Sequence, residues 1–165
     1  MKKTLLALTL LTSVSFAAEK SAAQNIYVGA GLGIMATNDR GDAGLGVSLK
    51  AGTYLDEVLK GMGIQAELNK SLSDPENANN RDINVMTFAL YTSYDILIPN
   101  SEFTLRPRIG VIMPNLNDDI DSRDVILSSG FGILYDLQDN LRLYADYTVL
   151  GEAISNYSVG VEVKF

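Results

Sequence analysis

The stretch YSVGVEVKF, residues 157–165, alternates apolar and polar residues up to a terminal phenylalanine. Tyr157, Val159, Val161, Val163 and Phe165 share one face, and Asn156, Ser158, Gly160, Glu162 and Lys164 share the other, the period of two that a strand requires. The last residues of a domain usually fray, because untethered chain gains too little contact to offset its conformational entropy. Here the pattern leaves nothing over to fray, so the end of this strand is expected to be held by another part of the chain. What each face touches then decides the fold.

Upstream the same period recurs in runs near 25–36, 43–54, 62–71, 83–97, 102–114, 124–137 and 139–150, and the terminal run is 153–165. Apolar residues seldom recur at three or four, and glycine is spread through the runs, which would weaken helices. The segment DEVLKGM, residues 56–62, is the main competitor, as a helical turn. After the first, third and fifth runs come TNDRGD, SLSDPENANNRD and PNLNDDIDSRD, which are polar and acidic. After the fourth and sixth come IPNSE and LQDN, short turns of Pro, Asn and Asp. The second connector is of middling length, and the seventh, GEA, is short. An even strand number, strands of about ten residues, and long connectors alternating with short ones predict an all-β fold, a closed eight-stranded antiparallel transmembrane β-barrel with its short turns toward the periplasm.

Composition agrees with export. Lys2 and Lys3 precede an apolar run, Thr4 to Val14, and Ser15-Phe16-Ala17 forms a small-x-small site, so residues 1–17 read as a secretory signal peptide and 18–165 as the barrel. The apolar run is too short for a membrane anchor. There is no Cys, hence no disulfide framework and no lipid-accepting thiol. The chain carries 13 Lys and Arg against 20 Asp and Glu, a charge of −7, and loss of Lys2 and Lys3 takes it to −9. Nucleic acid, which needs basic patches to neutralise phosphate, is therefore excluded as a partner. No later stretch approaches the roughly 18 continuous apolar residues of a membrane helix, so any crossing must use strands.

The residue types on each face decide between a membrane barrel and a soluble sheet. In one run Leu141, Leu143, Ala145, Tyr147 and Val149 oppose Arg142, Tyr144, Asp146 and Thr148; in another Phe103, Leu105, Pro107, Ile109 and Val111 oppose Thr104, Arg106, Arg108 and Gly110. Collected over all strands, the polar faces hold Lys50, Arg106, Arg108, Arg142 and Lys164 against Glu67, Asp95, Asp136, Asp146 and Glu162. These five positive and five negative groups balance, as charges enclosed in a narrow lumen must if unpaired desolvation is to be avoided. Tyr27, Tyr91 and Tyr144 add bulk to the same face, which argues for a filled interior. Tyr94, Phe103, Tyr135 and Phe165 fall on apolar faces near the periplasmic strand ends, where a girdle at the membrane interface is expected. An open sheet edge in hydrocarbon would leave backbone groups unpaired, so the last strand is expected to pair with the first.

The segments NIYVGAGLGI, TSYDI, FTLRPRIGV, SSGFGILYDLQDNLRLYADYTVLG and NYSVGVEVKF resemble the small eight-stranded outer-membrane β-barrels, the family that includes the OmpA-type transmembrane domain, opacity proteins and porin-like surface proteins. The resemblance covers essentially the whole chain after the signal. It implies that Tyr157, Val159, Val161, Val163 and Phe165 form the signal read by the outer-membrane assembly machinery. It further implies outer-membrane lipids and lipopolysaccharide as surroundings, and a surface ligand or host molecule as partner. The peptidoglycan-binding domain of the full OmpA type has no counterpart here, so anchoring to the cell wall is not implied.

Chemistry is sparse. There is no His, which removes Ser-His-Asp and Cys-His catalysis and any imidazole metal site. Asp146 near Glu162 could do acid–base work, although pairing with Arg106, Arg108 or Arg142 is the simpler use of both. GAGLG at residues 29–33 lacks the helix a dinucleotide loop needs. Asp118, Asp119, Asp121 and Asp124 do not have EF-hand spacing and read as a solvated acidic connector. No cofactor and no metal is expected. The expected role is structural or interactive, through envelope integrity and loop-mediated binding or adhesion. A small porin-like pore passing ions or solutes is the alternative, and a soluble periplasmic barrel with a ligand inside is a third reading.

Overall fold

A computed structural model describes residues 25–37, 43–73, 84–116, 125–150 and 154–165. Its strands are β1 Ile26–Thr37, β2 Gly44–Tyr54, β3 Met62–Ser71, β4 Val85–Tyr94, β5 Phe103–Leu116, β6 Ile126–Gln138, β7 Leu141–Leu150 and β8 Ile154–Lys164. A two-residue piece, Ile96–Leu97, continues β4 past a break at Asp95 and pairs with β5. Across the break the register is kept: Ile96↔Leu105 continues the pairing of Ser93↔Arg108, and the Asp95 amide donates to the Gly61 carbonyl at 2.7 Å, the next position after Met62↔Tyr94.

Each strand pairs antiparallel with the next, and β8 pairs with β1 from Thr37↔Ile154 to Tyr27↔Lys164. The barrel is closed, and the terminal strand is used to its end: the Phe165 amide donates to the Ile26 carbonyl at 2.8 Å, and that of Lys164 to Asn140 at 2.9 Å. Register fixes the tilt. Partners followed from Leu32 through Val47, Lys70 and Met86 reach Asn115, whereas the other way through Val159, Ala145 and Ile133 they reach Leu105. Both endpoints lie on β5, ten residues apart. A shift of that size tilts the strands by roughly 35–45° and leaves an interior just wide enough for side chains.

The burial pattern is inside-out for a protein in water. Leu32, Leu49 and Val159 on the outer face are 63%, 51% and 62% exposed, while Arg106 and Glu162 inside are 1% and 0% exposed. Apolar surface of that extent stays unburied only if hydrocarbon surrounds it.

The connectors follow local rules. DEVLKGM forms one hydrogen-bonded turn and no helix: the Leu55 carbonyl accepts from Val58 and Leu59 at 2.8 and 3.0 Å. Gly61, at φ 85°, ends it in the left-handed region, with its amide donating to Asp56 Oδ1 at 2.8 Å. The β4–β5 turn places Asn100 at φ 57°, a conformation Asn tolerates. A bulge at Asp136/Gln138 precedes the tight β6–β7 turn.

Candidate functional site

All ten charged residues of the polar faces project into the interior or its periplasmic mouth, and ion pairs join them in one chain. From the mouth inward, Lys164 meets Asp136 at 3.7 Å, Asp136 pairs with Arg142 Nε, and Arg142 Nη1 reaches Asp95 at 3.3 Å. Asp95 takes Arg106 Nε at 2.5 Å, and Arg106 Nη1 reaches Glu162 at 2.8 Å. Glu162 lies 3.6 Å from Lys50, whose ammonium meets Asp146 at 3.1 Å. Arg108 then bridges Asp146 at 3.3 Å and Glu67 at 2.7 Å. Alternating sign along the chain gives each buried charge at least one opposite neighbour, which offsets the cost of removing it from water.

Neutral groups complete the network. The Tyr54 hydroxyl donates to Asp95 Oδ2 at 3.0 Å and accepts from Arg106 at 2.6 Å and Arg142 at 2.7 Å. Gln65 and Asn69 donate to the two oxygens of Glu67 at 3.0 and 2.9 Å, and Tyr27 donates to Gln65 at 3.0 Å. The Lys50 ammonium lies 3.2 Å from the centre of the Tyr144 ring, and Arg108 stacks on Tyr91 at 5.0 Å, adding cation–π attraction in a dry interior. Tyr54, Gln65 and Asn69 were not among the residues singled out from the sequence. The period of two could have found Tyr54, since it continues the face of Lys50 and Gly52.

The interior changes character toward the loop-bearing end. Met35, Val85, Ala89, Tyr91, Ile112, Leu150 and Ile154 form a buried apolar cluster; Tyr91 lies under the stacked Arg108, and toward the loop-bearing end buried polar side chains are interleaved with the cluster, Asn156 as the register partner of Met35 and Ser71 accepting from the Val85 amide, with Asn69 and Thr87 beside them. Of this cluster only Tyr91 is among the inward residues singled out from the sequence. Met35, Val85, Leu150 and Ile154 stand at or near the loop ends of their strands, where alternation gives way to apolar residues on both faces.

On the outer face, Tyr94, Phe103 and Tyr135 are 40%, 45% and 37% exposed at the periplasmic strand ends, with the Phe103 and Tyr135 rings 4.9 Å apart. Phe165 lies at the same end. A second aromatic pair, Tyr147 and Tyr157 at 4.9 Å, stands nearer the loop end, on β7 and β8. Tyr157 and Val159 of the terminal strand are exposed outward, while Val161, Val163 and Phe165 are half-buried. Residues 1–17 and the aspartates 118, 119, 121 and 124 lie outside the described residues. Among the described residues no cluster of His, Cys, Asp or Glu has the geometry to hold a metal.

Comparisons with known proteins agree with this architecture. The structure is similar to Neisserial surface protein A at a TM-score of 0.62 and 17% identity, covering 88% of this chain and 100% of that one. It is also similar to the N-terminal barrel domain of OprF from Pseudomonas aeruginosa (TM-score 0.58, 14% identity, 87% and 99% covered). Ail, the attachment invasion locus protein of Yersinia pestis, matches at TM-score 0.58 and 12% identity, with 86% and 99% covered. No curated protein sequence matches the chain. The family model for the outer membrane protein beta-barrel domain matches residues 4–165. A closed barrel with an apolar exterior, matched over that length, belongs in the cell outer membrane, and the chain is a member of the outer membrane protein beta-barrel domain family.

Proposed function

We propose that this protein acts as a non-enzymatic outer-membrane barrel whose outer surface and loops, and not its lumen, carry its role in envelope integrity and surface binding. The observation that carries this reading is the filled interior. A continuous chain of ion pairs from Lys164 to Glu67 crosses it, and the apolar cluster around Met35, Ile112 and Leu150 lies above. Water or an ion entering would have to break several paired charges and then displace the packed apolar and hydrogen-bonded side chains toward the loop end, and both steps are costly.

Ail, a structural neighbour, has been seen in complex with the heparin analogue sucrose octasulfate. The connectors TNDRGD, SLSDPENANNRD and PNLNDDIDSRD are acidic, so a polyanion is a poor electrostatic match for this chain. A basic surface, or an anionic one bridged by divalent ions, suits it better. The terminal strand, with Tyr157, Val159, Val161, Val163 and Phe165 on one face, is proposed as the element engaged by the assembly machinery, and residues 1–17 as the export signal.

Single-channel recording on refolded protein in a planar bilayer tests the central reading, after the heat-dependent gel mobility of a folded barrel has been confirmed. The expected result is a folded barrel without steady conductance. Reproducible steps whose size changes when Arg106 or Arg142 is neutralised would replace it with the pore reading.

A further inference from the structure

The ladder between β4 and β5 has a gap, and a proline sits in it. The two strands pair in unbroken register from Val85↔Leu116 to Ser93↔Arg108 and resume at Ile96↔Leu105 and Leu97↔Thr104. The residue left opposite Tyr94 is Pro107, which has no N–H to give the Tyr94 carbonyl. On its other side Pro107 keeps Phe131 of β6 as its partner, so the bond is lost toward β4 alone. Pro114, the other proline of β5, leaves its pairing with Thr87 uninterrupted.

Beyond the gap, residues 95–102 form a hairpin tip that is held lightly. β3 reaches only to Met62, and among the described residues the last backbone bond on that side runs from the Asp95 amide to the Gly61 carbonyl at 2.7 Å. Ile96, Leu97 and Ile98 are exposed. Beneath the tip Thr104, the partner of Leu97, is buried, and its hydroxyl has no hydrogen-bond partner among the described residues. The closed tip thus leaves the Tyr94 carbonyl without its ladder donor and the Thr104 hydroxyl without any, and an open tip lets water reach both. Asp95 opposes opening as a latch. Its carboxylate accepts from Arg106 Nε at 2.5 Å and Nη2 at 2.9 Å, from the Tyr54 hydroxyl at 3.0 Å and from Arg142 Nη1 at 3.3 Å.

We infer that the hairpin tip 95–102 is a hinged strap over the periplasmic mouth, turning about Tyr94 and Pro107 and latched by Asp95. Tyr94, Asp95, Ile96 and Leu97 form one wall of a cavity of about 500 Å³ at that mouth, and Lys60 and Lys164 stand on its other sides. Swinging the tip outward widens this cavity and brings water to Thr104 and to the Asp95–Arg106 pair. The ion pairs from Glu162 to Glu67 and the packed side chains toward the loop end lie further in and stay closed. The strap belongs to the barrel wall and does not depend on whether the loops bind a surface partner.

The chain has no Cys, so a single introduced thiol reports the opening. Refolded Thr104→Cys in detergent micelles is expected to react with a small, charged, water-soluble thiol reagent, whereas Ala89→Cys, equally buried but further in on β4, should stay unlabelled over the same time. Adding Pro107→Val to Thr104→Cys restores the missing N–H and should slow labelling roughly fivefold, as expected for one regained backbone hydrogen bond. Adding Asp95→Asn weakens the latch and should speed labelling severalfold; Tyr54→Phe, which removes one bond to the same carboxylate, serves if that barrel does not fold. Amide hydrogen exchange reads the same motion without a thiol. The Ile96 and Ile98 amides should exchange at least tenfold faster than those of Leu90 and Thr92, and Pro107→Val should narrow the difference. The proposal is overturned if Thr104→Cys is labelled no faster than Ala89→Cys, or if Pro107→Val leaves both labelling and exchange unchanged.

Discussion

Arg106 shows what enclosure does to a single side chain. It is 1% exposed and holds both Asp95 and Glu162, with Tyr54 bonded to the same guanidinium. Removing it strands two carboxylates in a dry interior, and breaking a buried pair in this way costs about 3–5 kcal/mol. Arg106→Met is therefore expected to lower the urea midpoint of the folded barrel, followed by gel mobility or far-UV circular dichroism since the chain has no Trp. Gly160 illustrates the opposite limit, the absence of a side chain. A Cβ there would run into the Ala30 carbonyl of the neighbouring strand and press on the Tyr144 ring at 2.7 Å, whereas at Gly63 the nearest atom is 3.1 Å away. Gly160→Ala is expected to destabilise the barrel clearly more than Gly63→Ala, read in the same urea titration. Both residues were visible in sequence as inward positions. Their partners were not, because which charge faces which across a lumen depends on diameter and register.

At the scale of the element, the terminal strand is where local pattern and closure meet. Its alternation set the faces, and pairing with β1 follows from the cost of an unpaired edge in hydrocarbon. Phe165 adds one backbone bond and a half-buried ring to this strand, a small part of the total. Phe165→Ala is accordingly expected to refold in detergent almost as wild type but to reach the outer membrane poorly in cells, as measured by the folded fraction in membrane extracts. Equal deficits in both assays would remove the assembly role from this residue. The fourth run was read as continuous, and the break at Asp95 had no local signal. It coincides with the Asp95 carboxylate being held inward by Arg106 and the Tyr54 hydroxyl, contacts that only the tertiary fold supplies.

For the whole molecule, the charge chain and the layer of mixed apolar and hydrogen-bonded side chains toward the loop end fill the interior one after the other. Neutralising Arg106 alone loosens the first and leaves the second packed. Conductance in a planar bilayer is therefore expected to stay at baseline for Arg106→Ser, and to appear when Ile112→Ser and Leu150→Ser are added. Conductance in the single variant would show that the cluster does not seal. What the sequence by itself determined was the architecture: strand number, the identity of each face, closure and a neutral interior. Those depend on a period of two and on the solvent each face can tolerate, which are local properties. Only the tertiary structure decided that the ten charges join in one chain, that Tyr54, Gln65 and Asn69 belong to it, and that apolar and hydrogen-bonded side chains pack together toward the outer end. Each of these depends on the ten-residue shift around the barrel, which brings together side chains as far apart in sequence as Lys50 and Glu162 and is written in no single strand.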